Sequence, residues 1–182
     1  MSRDTVVRYK FHFVWEDEKE EQWLRAMARQ GLHLVKANQM CRYVFRVGAP
    51  EDVVYRLDYL TRARKDASYF QLFQDAGWEH AWACSGWQYW RKPAAGGEPE
   101  IFTDRQSKVD KLRRVRQIMA GVGVTSTAGI WANPVYWRFS ETGISLASRI
   151  GVAAIAVAVL GIWVYAFCKL TQRIRAVSSA AV

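Results

Sequence analysis

The chain is poor in the residues from which reactive centres are built: three cysteines, three histidines and four prolines occur in 182 residues. Cys41, Cys84 and Cys168 form no C-x-x-C pair and no even-numbered framework, which excludes a disulfide scaffold and fits a reducing compartment. Cys41 and Cys84 hold similar places before the last strand of each half and could approach one another, although placement in a turn suffices to explain them. His12, His33 and His80 stand apart, without H-x-x-x-H or mixed Cys and His spacing, so neither a metal site nor a cofactor is expected. Gly96 and Gly97 lack the Lys and Ser or Thr that complete a phosphate loop, and Ser85 sits in a Cys-Ser-Gly turn rather than a G-x-S-x-G elbow. No acid, base, nucleophile and oxyanion set can be assembled from these spacings, so an enzyme is not expected. The opening MSRDTVVRYKFHFVW has neither a long apolar core nor a small-residue cleavage site and reads as mature sequence.

Negative charge is scarce toward the C-terminus. Of the formal net charge of +9, almost all arises after Asp110, where nine basic residues face Glu141 alone. The preceding part is nearly balanced. A nucleic-acid reader would carry its basic patch on the folded domain, so this distribution favours anionic lipid headgroups as partner and direct nucleic-acid binding is not expected.

What is present is a long apolar run. Ile150 to Phe167, IGVAAIAVAVLGIWVYAF, holds eighteen residues without a charge and is followed by Lys169. A helix over 144–168 exceeds the roughly 30 Å of a bilayer core at about 1.5 Å per residue. Within it Ala147, Gly151, Ala154, Ala158 and Gly161 recur at spacings of four and three, a seam of small residues that admits a second backbone. Residues 118–137 are also uncharged, but Thr125, Ser126, Thr127, Asn133 and Pro134 make them a marginal first transmembrane helix. Ala120, Gly121, Gly123, Ala128 and Gly129 offer the seam a complementary surface; an interfacial segment beside one true span, or homodimerisation through the same seam, are the alternatives.

Basic residues flank both candidates. Residues 108–117 place Val109, Leu112 and Val115 among Lys111, Arg113, Arg114 and Arg116 as a juxtamembrane collar, and 169–182 form a tail with Lys169, Arg173 and Arg175. These are the headgroup candidates. The connection around 138–143 balances Arg138 with Glu141, so a hairpin with both ends in the cytoplasm satisfies the positive-inside rule. Arg149 is expected to snorkel to the interface, and Trp131, Trp137, Trp163 and Tyr165 are interfacial-belt candidates, although Trp163 could equally pack inside.

Residues 1–92 read as a soluble domain that repeats itself. Alternation puts Val7, Tyr9, Phe11, Phe13 and Trp15 on one face of a half-buried strand and Arg8, Lys10 and His12 on the other. Glu16 to Gln30 changes to helical spacing, with acids at the start, Trp23, Leu24 and Met27 as the buried stripe, and Gly31 as the stop. Strands at Leu32 to Lys36 and Arg42 to Val47 complete a β-α-β-β unit, 6–47. A shift of 46 residues sets Tyr9 on Tyr55, Trp23 on Tyr69 and Gly31 on Gly77, giving a second unit over 53–92 with strands at Trp78 to Ala83 and Trp87 to Arg91. The fold class is therefore α+β: one antiparallel or mixed sheet with two helices on one face, then a flexible linker over 93–107 and the C-terminal transmembrane hairpin.

Trp78, Trp82, Trp87 and Trp90 crowd the second hairpin, Trp78 and Trp82 sharing a strand face by their even spacing. Core packing against Phe70 and Phe73 explains them, and a surface for an apolar ligand or partner helix is the sharper alternative.

KFHFVW, WLRAMARQGLHL, Tyr43-x-Phe45, YRLDYL, FQDAGW, WQYWRK and IFTDRQSK, in this order over about 110 residues, resemble a bacterial family catalogued as domain of unknown function 2812. Trp90 stands where that pattern more often has Phe. The resemblance implies C-terminal membrane helices in the bacterial inner membrane and a regulatory setting beside PadR-like winged-helix repressors, with no catalytic residue to carry over. The expected role is a non-catalytic regulatory or sensory adaptor engaging such a regulator; the alternative is a small apolar-ligand or lipid-binding module built on the tryptophan hairpin.

Overall fold

The computed structural model describes residues 4–38, 41–61, 67–94, 99–101, 105–132 and 146–179. The chain divides into two compact units, Met1–Ser107 and Lys108–Val182.

The first unit holds the duplicated β-α-β-β motif: β1 (Thr5–Tyr9), α1 (Asp17–Ala28), β2 (Leu32–Ala37) and β3 (Arg42–Val47), then β4 (Val53–Tyr59), α2 (Ala67–Asp75), β5 (Glu79–Cys84) and β6 (Trp87–Pro93). Each half forms its own three-stranded antiparallel sheet, in the orders β1-β3-β2 and β4-β6-β5. The single six-stranded sheet expected from the sequence is thus corrected to two sheets, each with its helix on one face. The reason lies at β2. Its Leu34 N–H bonds the Tyr55 hydroxyl at 3.3 Å, and its Ala37 carbonyl accepts from the Trp82 indole at 2.8 Å, so side chains of the second sheet occupy backbone groups that a further strand would have used.

The repeat is visible in its irregularities. Gly31 and Gly77 both adopt positive φ, 76° and 79°, at the ends of their helices. At Gly31 a Cβ would meet the Gly48 carbonyl oxygen at 2.4 Å, so the position tolerates no side chain. Each second strand carries a bulge, between Leu34 and Lys36 and between His80 and Trp82.

Two cores result. Leu24, Leu34, Tyr43 and Phe45 join Tyr55, Leu57 and Tyr89 from the other half, with α1 contributing to both sets of contacts. On the opposite face of the second sheet, Val54 and Trp90 pack with Phe73 of α2, Trp78 and Ala94. Burying each such large side chain contributes about 1.5–3 kcal/mol. Part of the expected linker belongs to this unit. Ala94 is buried, Ile101 packs on the second core, and Glu100 meets Arg56 at 3.1 Å.

In the second unit α3 runs unbroken over Arg105–Ala132 and α4 over Leu146–Ser179. The collar and the described part of the marginal segment are one helix, and residues 133–145, with Asn133, Pro134, Trp137, Arg138 and Glu141, lie outside the described residues. α4 continues past Lys169 through most of the expected tail, because Lys and Arg end an apolar run without opposing helix. Arg116 lies over the Phe167 ring and reaches Thr171 at 3.3 Å, and Trp163 lies against Gly123, so α3 and α4 pack antiparallel. Among the described residues one helix is long and apolar enough to cross a membrane, α4 from Ala153 to Ser179; α3 is not, so a two-span hairpin is not established.

Candidate functional site

The acidic opening of α1 conceals a buried polar cluster in the first unit. Asp17, Glu20 and Glu21 are buried together with Leu24 and Ala28. Their spacing by three and four, continuous with the apolar stripe, was the available signal. Glu20 Oε1 accepts from the Tyr43 hydroxyl at 2.9 Å and from Tyr89 at 2.8 Å, one tyrosine from each sheet. Burial raises the Glu20 carboxyl above its ordinary pKa, opposed by the two hydroxyl bonds and aided by Asp17. Burial also raises both phenols, and the neighbouring Glu20 charge adds to it. His12 approaches Tyr43 at 3.4 Å and faces Trp23, and burial lowers its pKa. Glu21 accepts the Leu57 N–H at 2.8 Å. This arrangement joins the two repeats, and Glu20 takes both tyrosine hydroxyls while His12 Nε2 is buried without a hydrogen bond.

The four tryptophans are not brought together. The bulge between His80 and Trp82 inverts the alternation of β5, so Trp78 and Trp82 no longer share a face. Trp78 and fully buried Trp90 belong to the core under α2, while Trp82 and Trp87 pack on the core shared with the first repeat. The indole N–H of Trp90 donates to the Tyr69 hydroxyl at 3.2 Å.

The first strand presents the face opposite to the one the alternation suggests. β1 pairs Val6 with Phe45 and Arg8 with Tyr43, so even-numbered residues turn toward α1. Lys10 lies over the Trp23 ring and His12 beside it. Tyr9, Phe11 and Phe13 are 73%, 62% and 45% exposed, Phe11 edge-on to Phe13 and Phe13 stacked on Trp15. From α1, Trp23 meets Lys10 and His12, whereas Tyr9, Phe11 and Phe13 stay exposed at the surface.

Register places Thr5, Val7 and Tyr9 on this open face with Arg42, Val44 and Arg46 of β3 and Lys36 of β2. A cleft of about 370 Å³ at its end is lined by His33, Arg46, Glu51, Glu79, Arg91 and Lys92. Arg91 donates from Nε and Nη2 to the two Glu79 carboxylate oxygens, Lys92 Nζ donates to the Ala76 carbonyl at 2.7 Å, and a His33 ring nitrogen meets the Ala49 carbonyl at 2.9 Å. Those groups are engaged with the fold. Among the described residues no cluster of His, Cys, Asp and Glu has metal-binding geometry.

In the second unit Val109, Leu112 and Val115 are buried, as are Ala156, Ala166, Leu170 and Ile174. Lys111 and Arg116 are half-buried, Arg113 and Arg114 lie on the same turns, and Lys169 and Arg173 fall in the continuous part of α4. The seam does not face α3: Gly151, Ala154, Ala158 and Gly161 are exposed, while the backbone of Ala147 belongs to the first turn of α4. Contact with α3 is made instead by Trp163 and Phe167, beside an apolar groove of about 460 Å³.

Fold and surfaces together define a tandem β-α-β-β domain carried on the same chain as a helix of membrane-spanning length. The chain matches, over residues 16–124, the family described as "Protein of unknown function (DUF2812)", and it belongs to that family. Neither the curated proteins nor the solved structures give a match.

Proposed function

We propose that the protein is a non-catalytic, membrane-anchored adaptor of the bacterial inner membrane, with its tandem domain and C-terminus in the cytoplasm. The observation that carries this reading is α4, whose large apolar side chains, Ile150, Ile155, Val157, Leu160, Ile162 and Val164 among them, stand exposed around the helix where a soluble protein would cover them. The basic residues of α3 and of the end of α4 suit anionic headgroups on the cytoplasmic side, with α3 either crossing beside α4 or lying in the interface. Homodimerisation through the exposed seam of Gly151, Ala154, Ala158 and Gly161 is compatible with that placement.

The partner suggested by the family resemblance is a PadR-like transcriptional regulator, held or released at the membrane by the domain. Two measurements test the reading. Alkaline carbonate extraction should leave the full chain in the membrane fraction; release into the supernatant would overturn the anchor. Affinity purification from solubilised membranes should recover the regulator with the full chain and lose it when residues 1–92 are removed. Equal recovery from both would overturn the partner assignment.

A further inference from the structure

We infer that the open face of the first sheet is a docking surface for the anionic membrane leaflet beside which the domain is tethered. This rests on the membrane anchorage proposed above. Three strands bring Lys36, Arg42 and Arg46 onto one face with Tyr9, the Lys36 ammonium lying 5.7 Å from the centre of the Trp82 ring, and exposed Phe11 and Phe13 follow in the chain leaving β1. No carboxylate projects from this face of the described strands. Glu79, which feels the charge of Arg46 from the neighbouring sheet, is already held by Arg91.

The combination is selective in its chemistry. Cations alone would suit any polyanion, but an anionic bilayer surface also offers the headgroup and acyl boundary in which an amphipathic aromatic ring is at home. Tyr9, Phe11 and Phe13 are the side chains that would enter it, and Lys36, Arg42 and Arg46 would meet lipid phosphates. One membrane attachment is commonly supported by a second, weaker one, and a short tether makes that second contact effectively intramolecular. The eleven residues between β6 and α3 span at most about 40 Å even when fully extended, which bounds the length of the tether. Docking would then be a reversible state that hides this face, and release would expose it to a cytoplasmic partner.

The test uses the full chain in nanodiscs of pure phosphatidylcholine or of phosphatidylcholine with phosphatidylglycerol, with hydroxyl-radical oxidation of Tyr9, Phe11 and Phe13 read by mass spectrometry. Oxidation of all three should fall several-fold in the anionic discs, return to the neutral-disc level in 0.5 M KCl, and stay at that level in the K36Q/R42Q/R46Q variant. Each cation near the surface is worth roughly a fivefold factor, so their joint loss shifts docking by about a hundredfold. The salt arm needs no variant and does not depend on its folding. Equal oxidation in both discs, or protection that 0.5 M KCl leaves intact, would overturn the inference. Protection that appears in neutral discs on adding duplex DNA or RNA would also overturn it and assign the face to nucleic acid. Incorporation into the discs reports separately on the anchor.

Discussion

The Tyr89 hydroxyl, on the last strand of the second repeat, donates to Glu20 Oε1 at 2.8 Å on the helix of the first, across 69 positions of chain. Tyr43 donates to the same oxygen from the other sheet. One buried carboxylate thus holds the two halves in register.

Removing that acceptor strands two buried hydroxyls. Glu20→Ala is expected to destabilise the first unit by about 2–6 kcal/mol, at roughly 1–3 kcal/mol for each buried polar group left without a partner. Glu20→Gln keeps an acceptor and should cost much less. Urea unfolding of the full chain in detergent, followed by near-ultraviolet circular dichroism, measures both.

The Glu20 carboxyl also fixes a pH response. Its native pKa lies above the unfolded value, so between the two the native state binds more protons, and stability falls as pH rises through that interval. Asp52 acts in the opposite sense. The Arg25 and Arg29 guanidinium groups hold its carboxyl well below the usual range, so its contribution is present above the unfolded pKa and is lost as pH falls through the native one. Thermal unfolding across pH 2–8 should show Glu20→Gln flattening the loss on the rising side and Asp52→Asn flattening the loss toward acid. Because Asp52 is exposed, its effect should also fade in high salt.

The tryptophans separate by role. Trp90→Ala removes a fully buried ring and should cost about 3–5 kcal/mol. Trp82→Phe loses the indole bond to Ala37 while keeping an aromatic ring, at about 1 kcal/mol. Indole fluorescence during the same titrations distinguishes the two, since Trp82 reports contact between the sheets.

Two glycines of α3 form a matched pair for the helical unit. A Cβ at Gly123 would lie 3.2 Å from the Trp163 ring, whereas one at Gly121 meets nothing within 4 Å. Gly123→Val should lower the thermal stability of the α3–α4 packing in detergent and Gly121→Val should leave it within about 0.5 kcal/mol.

Elements and repeat were legible because helices, strands and their glycine stops are set by local pattern. Gly31 and Gly77 fall 46 positions apart in sequence, and both take the left-handed backbone. The assignment of faces was not legible. Alternation identifies two faces but not which one a helix will cover, and α1 covers the face carrying Lys10 and His12, where Trp23 meets both and Tyr43 meets His12. A one-residue bulge beside Ala81 leaves no local mark, yet it moves Trp82 across the sheet from Trp78. The number of sheets was likewise beyond local pattern, since Tyr55 and Trp82 reach β2 through side chains.

Glu21 has a consequence for how the molecule behaves when crowded. β4 is an edge strand of the second sheet, and its Leu57 N–H is occupied by the Glu21 carboxylate at 2.8 Å. A neighbouring polypeptide seeking to extend that sheet would find this position of the rim already taken by a side chain of α1. Lateral aggregation is thereby resisted at this rim.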